Sequence, residues 1–258
     1  MSVPPDAARP AAEFWETLFA QGASNSYSTV EMPPADDPVL LAALQSFGAL
    51  DGKRLLDIGC GSGRASLFFA SHGARVTSVD LSANAIANLT QFCAARGITN
   101  IDARVLAAMQ IDALGPFECV FGSMILHHIE PFHEFAAILR RAMTDDGRAF
   151  FWENHLALPM MGWFRTHCVG RFGIPRHGDT EEVPFSDAEV DQLRSYFQVN
   201  VEYPEMMLFK LFSLYLLGRR LTGVAERLDD LLYNVKPLRR LSYRQFVRLG
   251  PGSPAGFR

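Results

Sequence analysis

Residues 55–70 read LLDIGCGSGRASLFFA, and this stretch decides the fold. Its apolar start ends in Asp57, glycines follow at positions 59, 61 and 63, and apolar residues then continue at helical spacing. This order predicts a buried strand, a tight turn and a helix. Glycine suits such a turn because it accepts positive φ and has no Cβ, so a bound molecule can approach the backbone closely. The stretch predicts a cofactor site, against the alternative of a strand-helix turn that binds nothing.

The spacing of the glycines separates two classes of adenosine cofactor. A dinucleotide turn, G-x-G-x-x-G, would need its third glycine at Arg64 or Ser66. The stretch instead resembles motif I of the class I S-adenosylmethionine (SAM) methyltransferases, D-x-G-x-G-x-G, with its acid and glycines at Asp57, Gly59, Gly61 and Gly63. The resemblance implies that the acid helps to hold the cationic methionine end of SAM and that the glycines let the cofactor lie against the turn.

Composition places the chain among ordinary globular enzymes. Its 258 residues are enough for one sizeable core, and 48% of them are hydrophobic. The net charge of −4 gives no general attraction for nucleic acid. Four cysteines without C-x-x-C spacing predict reduced thiols and a cytoplasmic location. We expect no signal peptide and no membrane span, because no apolar run approaches the roughly 18 to 20 residues that a spanning helix needs.

Two further cofactor contacts are predicted after the second and third strands. Asp80 follows a predicted strand at residues 75–79, about 20 residues beyond the glycines, where an acid can accept hydrogen bonds from ribose hydroxyls. The alternative is that Asp80 faces solvent or caps the next helix. After a third strand, predicted at 101–106, the family usually offers an aspartate that reads the adenine amino group. This sequence has alanines and Met109 there, so we expect backbone groups at Ala108 and stacking by Met109 to replace it.

The segment after the fourth strand, predicted at 117–124, carries the candidate acceptor-side chemistry. Its sequence ILHHI, residues 125–129, resembles the same region of ubiquinone/menaquinone-type methyltransferases. The proline-proline-aromatic motif of nucleic-acid amino methyltransferases is absent, as is the acid cluster of metal-dependent catechol-type enzymes. No matched Cys/His spacing occurs, so we expect a metal-independent reaction.

Methyl transfer from SAM is an in-line displacement, and a general base helps when the acceptor must lose a proton. His127 and His128 are the first candidates because they follow a strand end and titrate near neutral pH. Glu153 and His155, at the end of a fifth strand predicted at 148–153 after a turn at 145–147, are the next. The alternative for each histidine is a structural hydrogen-bonding role.

The rest of the chain is expected to cover this core. Residues 1–39 predict an N-terminal cover, with a short helix at 14–19 and Tyr27 against the methionine part of SAM, or else a surface or packing tyrosine. Residues 40–155 form the SAM-binding core, and residues 156–258 add substrate-side helices, the last strands and a helical lid at 206–232 in the same domain. The apolar stripe of that lid is open between core, cover of a lipophilic acceptor, dimer face and contact with an acidic membrane surface.

We therefore expect one α/β domain with the class I methyltransferase Rossmann-like fold: a seven-stranded, mostly parallel sheet, helices on both faces, an N-terminal cover and a helical lid near the C-terminus. The expected function is O-, N- or C-methylation of a small, hydrophobic metabolite, with S-adenosylhomocysteine as product. The alternatives are a SAM-binding enzyme of this fold that catalyses cyclisation or decarboxylation, and a non-catalytic partner subunit. A homodimer stays open. The expected cofactor contacts are Tyr27, Asp57, Gly59, Cys60, Gly61, Gly63, Asp80, Leu81, Ala108, Met109 and Ser123.

Overall fold

The computed structural model of the protein describes residues 9–20, 29–155, 167, 184–216 and 221–252. Tyr27 and nearly all of the predicted substrate-side segment at 156–183 lie outside the described residues. No helix in the described part of the chain is long and apolar enough to cross a membrane.

The described strands form one seven-stranded sheet in the order β3-β2-β1-β4-β5-β7-β6. Strand β7 runs antiparallel to both of its neighbours, and the pairs from β3 to β5 are parallel. This confirms the predicted mostly parallel sheet. The strands are β1 (Arg54–Ile58), β2 (Arg75–Asp80), β3 (Ile101–Val105), β4 (Phe117–Ser123), β5 (Met143–Asn154), β6 (Gln198–Glu202) and β7 (Arg244–Gly250).

Helices cover both faces of this sheet. Because side chains alternate along a strand, Phe150 joins a core with the helices Pro38–Phe47 and Arg64–Ser71, while Phe151 joins the core with the helices Phe132–Ala142 and Asp187–Arg194. The described helices are α1 (Arg9–Ala20), α2 (Pro38–Phe47), α3 (Arg64–Ser71), α4 (Ala83–Arg96), α5 (Phe132–Ala142), α6 (Asp187–Arg194), α7 (Leu208–Leu216) and α8 (Thr222–Tyr233).

The expected turn at 145–147 is wrong. Strand β5 begins at Met143, which pairs with Phe117 before the register shifts and regular pairing resumes at Arg148. Met143 is buried in the core, and its packing there places the start of the strand before the polar residues that suggested a turn. Helix α1 is also longer than the predicted segment at 14–19.

The parallel topology brings the functional segments to one edge. Strands β1, β2 and β4 end at Ile58, Asp80 and Ser123, and β5 ends at Asn154, opposite the start of β7 at Arg244. Helices α7 and α8 lie between β6 and β7 in the chain, where the helical lid is predicted. The interpretation of their apolar stripe as core is wrong for Phe212, which is 54% exposed. A lid function for these helices stays a prediction.

Candidate functional site

The glycine turn after β1 has the backbone that the sequence predicts. Gly59, Gly61 and Gly63 all have positive φ, and the amides of Gly59 and Cys60 donate to the Val79 carbonyl. A Cβ on Gly59 would lie 2.7 Å from Ile125 Cδ1, in the loop after β4. A Cβ on Gly61 would lie 3.3 Å from the Phe19 ring, so helix α1 approaches the turn closely. A side chain at either position would therefore displace an element that lines the site.

Asp57, the acid of the glycine motif, is almost completely buried. Its Oδ2 accepts a hydrogen bond of 2.5 Å from Ser66 Oγ, which is also 2.7 Å from Ser78 Oγ. Burial raises the pKa of Asp57 to about 7, because desolvation of the carboxylate outweighs the stabilising bond from Ser66. A cation beside this carboxyl would favour its ionised form, which suits the methionine end of SAM.

Asp80, at the end of β2, joins the two loops on either side of the predicted ribose site. Its Oδ2 accepts the Gly61 amide at 2.9 Å and its Oδ1 accepts the Ser82 amide at 2.9 Å. Burial raises the pKa of Asp80, and these amides oppose the rise. The alternative that Asp80 caps the next helix is wrong, because the N-cap of α4 is Ser82. Each carboxylate oxygen has a second lone pair for a further donor.

The other predicted cofactor residues lie near this edge of the sheet, and they differ in how far their side chains are buried. The Cys60 thiol packs into the core with Leu67, while its amide donates to Val79 and its carbonyl accepts the Gly63 amide, so Cys60 shapes the turn. Leu81 is 44% exposed directly after Asp80. Ala108 and Met109 begin a 3-10 helix at Ala108–Ala113, and both pack partly against the core. Ser123 is half-buried at the end of β4.

His127 and Glu153 form a buried pair at the ends of β4 and β5. His127 Nδ1 is 2.6 Å from Glu153 Oε2, and both side chains are fully shielded from solvent. The second oxygen of Glu153 accepts the amides of Ile125 and Leu126 at 2.8 and 2.7 Å. Glu153 Oε2 is placed to accept a hydrogen from His127 Nδ1, and in that tautomer Nε2 is the ring nitrogen able to accept a proton.

His128 lies beside this pair and against helix α1. Its ring centroid is 4.1 Å from that of His127, and the edge of the Trp15 ring meets it with a centroid distance of 6.0 Å. The remaining candidate, His155, is buried and directs Nδ1 at the Ser242 carbonyl at 3.1 Å. The structure therefore brings together Glu153 with both histidines of the 125–129 segment.

Helix α1 covers this edge through contacts that the sequence does not predict. The Glu16 carboxylate accepts hydrogen bonds from Ser82 Oγ at 2.5 Å and from the Asn84 side chain at 2.7 Å, at the start of α4. With Phe19 over the glycine turn and Trp15 on His128, α1 contacts the loops after β1, β2 and β4. Acidic residues in an amphipathic helix are usually solvated, so no sequence signal distinguishes Glu16.

Arg244 is a second residue that sequence reasoning missed. It begins β7 opposite Asn154, and its guanidinium bonds Asn154 Oδ1 and lies 4.9 Å from the centre of the Trp152 ring. Its Nη1 is also 3.3 Å from Met124 Sδ, in the loop that leads to His127. A cation is therefore held at the β5–β7 edge. Among the described residues, no group of three or more side chains is arranged to hold a metal ion.

The sequence of this chain is similar to those of known methyltransferases. Residues 55–147 match a family described as "Methyltransferase domain". The ubiquinone biosynthesis O-methyltransferase of Burkholderia multivorans is 34% identical over 125 residues, which are 47% of this chain and 53% of that protein. The chain thus spans about half the length of the curated relatives that it matches.

Solved structures match over nearly the whole chain, at low identity. The [4+2]-cyclase SpnF aligns with a TM-score of 0.61 and 16% identity, covering 99% of this chain and 100% of that one. The 1,6-didemethyltoxoflavin-N1-methyltransferase of Burkholderia thailandensis aligns with a TM-score of 0.60 and 15% identity, covering 98% and 92%. Residues 55–147 therefore resemble a methyltransferase domain, and the chain has the fold of the class I SAM-dependent methyltransferases.

Proposed function

We propose that this protein is an O-methyltransferase that moves the methyl group of SAM to a hydroxyl group of a small, apolar acceptor, with His127 as the general base. The observation that carries the proposal is the buried 2.6 Å contact between His127 Nδ1 and Glu153 Oε2. It lies at the carboxyl ends of β4 and β5, where ligands bind in open α/β sheets. The similarity to ubiquinone biosynthesis O-methyltransferases supports oxygen as the acceptor atom. The free thiols of Cys60, Cys93 and Cys119 support a cytoplasmic location.

The turn and its two acids support SAM as the cofactor. Positive φ at three glycines leaves the backbone open to close approach, and Asp57 offers a carboxyl whose ionisation a cation would favour. Asp80 offers lone pairs to ribose hydroxyls while it holds Gly61 and Ser82. SAM, when bound, supplies a methyl group on a positively charged sulfur.

The histidine–glutamate pair supports proton removal from the acceptor. Glu153 holds the hydrogen on Nδ1 of His127, so Nε2 accepts the hydroxyl proton as the new carbon–oxygen bond forms and the carbon–sulfur bond breaks. The proton stays on His127, and the negative charge of Glu153 stabilises the imidazolium that results. The charge of the site is unchanged, because a sulfonium is consumed as an imidazolium appears.

Two substitutions test the role of the pair. We expect His127→Gln to lower kcat by about a hundredfold to ten-thousandfold. Glu153→Gln should lower kcat as well, because its amide would donate to Nδ1 and leave Nε2 protonated, unable to accept a proton. SAM affinity should stay near wild type in both variants. S-adenosylhomocysteine formed with a panel of small phenols and alcohols gives the rate, calorimetry gives the SAM affinity, and His133→Gln, a change at an exposed histidine of α5, is the control.

Other results would overturn the proposal in distinguishable ways. Full activity in His127→Gln, with activity lost in His128→Gln, would make His128 the base. Acceptor turnover without S-adenosylhomocysteine would indicate the cyclase-type alternative. Absence of SAM binding in the folded wild-type protein would indicate a non-catalytic partner subunit.

A further inference from the structure

One face of helix α8 packs against the rest of the protein. Asp229 on this face accepts the amides of Phe209 and Lys210 at 2.9 and 2.8 Å, so it caps the start of α7. Ala225, one turn earlier, is buried against the same neighbour. Tyr233 closes the face by donating to the Tyr203 carbonyl at 3.0 Å. The orientation of α8 is therefore fixed by specific contacts.

A second side of α8 is apolar and exposed. Its large side chains recur every three or four residues, so they share one side of the helix. Together with the exposed apolar residues that flank the helix at each end, they are between 40% and 65% exposed, and we call the set the outer stripe: Leu221, Val224, Leu228, Leu231 and Val235. Phe212 of α7 is exposed as well, whereas the other exposed large apolar residues of the described chain are scattered singly. An apolar helix side of this extent marks a binding surface.

The part of the chain that contains the outer stripe carries a net positive charge. Residues 206–258 contain ten lysines and arginines against three acids, while the chain as a whole carries −4. The exposed cations within α8 and in the segment that directly follows it include Arg227, Lys236 and Arg240. Of the acids, Glu226 is exposed but paired with Lys210 at 3.0 Å, Asp229 is buried at the start of α7, and Asp230 is exposed.

We propose that the outer stripe docks this protein on the surface of an anionic lipid bilayer. An exposed apolar helix side with basic residues next to it is the combination that lies in a membrane interface, with apolar side chains in the acyl boundary and cations at the headgroups. A second copy of the chain is disfavoured, because a twofold contact through this surface would bring the same cations together. The inference is independent of the proposed function, since docking involves neither the glycine turn nor His127.

Sedimentation with vesicles tests the docking. We expect the full-length protein to sediment with vesicles of phosphatidylcholine and phosphatidylglycerol in equal parts and not with pure phosphatidylcholine. Leu228→Asp combined with Leu231→Asp should weaken binding at least about tenfold, because two apolar anchors become anions. Arg227→Ala should weaken it about fivefold, the effect of one cation near such a surface. Leu41→Asp is the matched control, since Leu41 is 42% exposed on α2.

Each alternative occupant gives its own result. Equal sedimentation of wild type and the Leu228/Leu231 variant, or none by wild type, would overturn the proposal. A wild-type dimer that the variant converts to a monomer, by light scattering, would make the stripe a homodimer face. Because the substituted residues are exposed, the melting temperature and SAM affinity should stay unchanged. A vesicle-binding wild type without SAM affinity would leave the docking intact and refute the proposed function alone.

Discussion

At the residue scale, burial of Asp57 brings the pKa of its carboxyl close to neutral pH. Its pKa near 7 lies well above that of an exposed aspartate because the carboxyl is removed from water. The folded state therefore binds this proton more tightly than the unfolded state does. The resulting stabilisation is complete below about pH 4, and it is lost as the pH rises towards and through about 7.

The same titration predicts a pH dependence of SAM binding. The methionine end of SAM is cationic, so it should bind best when Asp57 is ionised. We expect SAM affinity to rise about eightfold between about pH 6 and about pH 7.5, because the ionised fraction of a group with pKa near 7 grows by roughly that factor. Calorimetry at both pH values measures it. Asp57→Asn should bind more weakly with no rise, and a rise that persists in this variant would assign the titration to another group.

At the element scale, α1 is the part of the fold that ties the loops of the site together. It reaches the glycine turn through Phe19, the start of α4 through Glu16 and the loop after β4 through Trp15. Of these three contacts, the one made by Glu16 is polar. Its carboxylate accepts hydrogen bonds from the Ser82 hydroxyl and from the backbone and side-chain amides of Asn84. Charge-assisted hydrogen bonds of this kind are stronger than neutral ones. We infer that Glu16 holds α1 closed over the cofactor edge.

Loss of that contact should speed the release of SAM. We expect Glu16→Ala to increase the dissociation rate about tenfold, the effect of losing one charge-assisted hydrogen bond of about 1.5 kcal/mol. Stopped-flow displacement measures the rate. Asn84→Ala and the double variant complete a cycle, in which the two changes should be non-additive because the side chains are in contact. Additive effects, or an unchanged dissociation rate, would show that Glu16 does not hold the cover.

At the scale of the whole molecule, the sheet topology collects the chemistry at one edge. Asp57 and Asp80 belong to β1 and β2 on one side of the sheet, whereas Glu153 ends β5 on the other. Each carboxylate has its own partners: a serine, two backbone amides, and a histidine with two amides. The acids are thus distributed for separate binding and proton-transfer roles.

This distribution predicts a reaction that needs no added metal. The proposed base is a histidine, and each of the three acids already accepts hydrogen bonds from its own partners within the protein. We expect treatment with EDTA to leave the rate of S-adenosylhomocysteine formation unchanged. Loss of activity that magnesium restores would show that the end of β4 has been misinterpreted. The His133→Gln protein serves again as the control for handling losses.

The sequence by itself determined the sheet, the glycine turn and the two strand-end acids, because these depend on local patterns. Apolar runs, glycine spacing and an acid after each strand are constraints within about 25 residues, and they predict β1, α3 and β2 to within a residue or two. The histidine pair was also visible, since it follows directly on β4. The start of β5 was missed, because it depends on the pairing of Met143 with Phe117, which lies beyond a local turn pattern at residues 145–147.

Only the tertiary structure decided which residues work together. Glu153 meets His127 because β5 lies beside β4, and Glu16 meets Ser82 because α1 folds across the edge from 66 residues away. It also decided that one side of α8 is turned inward by Asp229 and that the outer stripe is exposed, although both sides carry apolar residues in the sequence. Contacts between distant segments depend on packing geometry, and hydrophobic periodicity within a segment does not encode it.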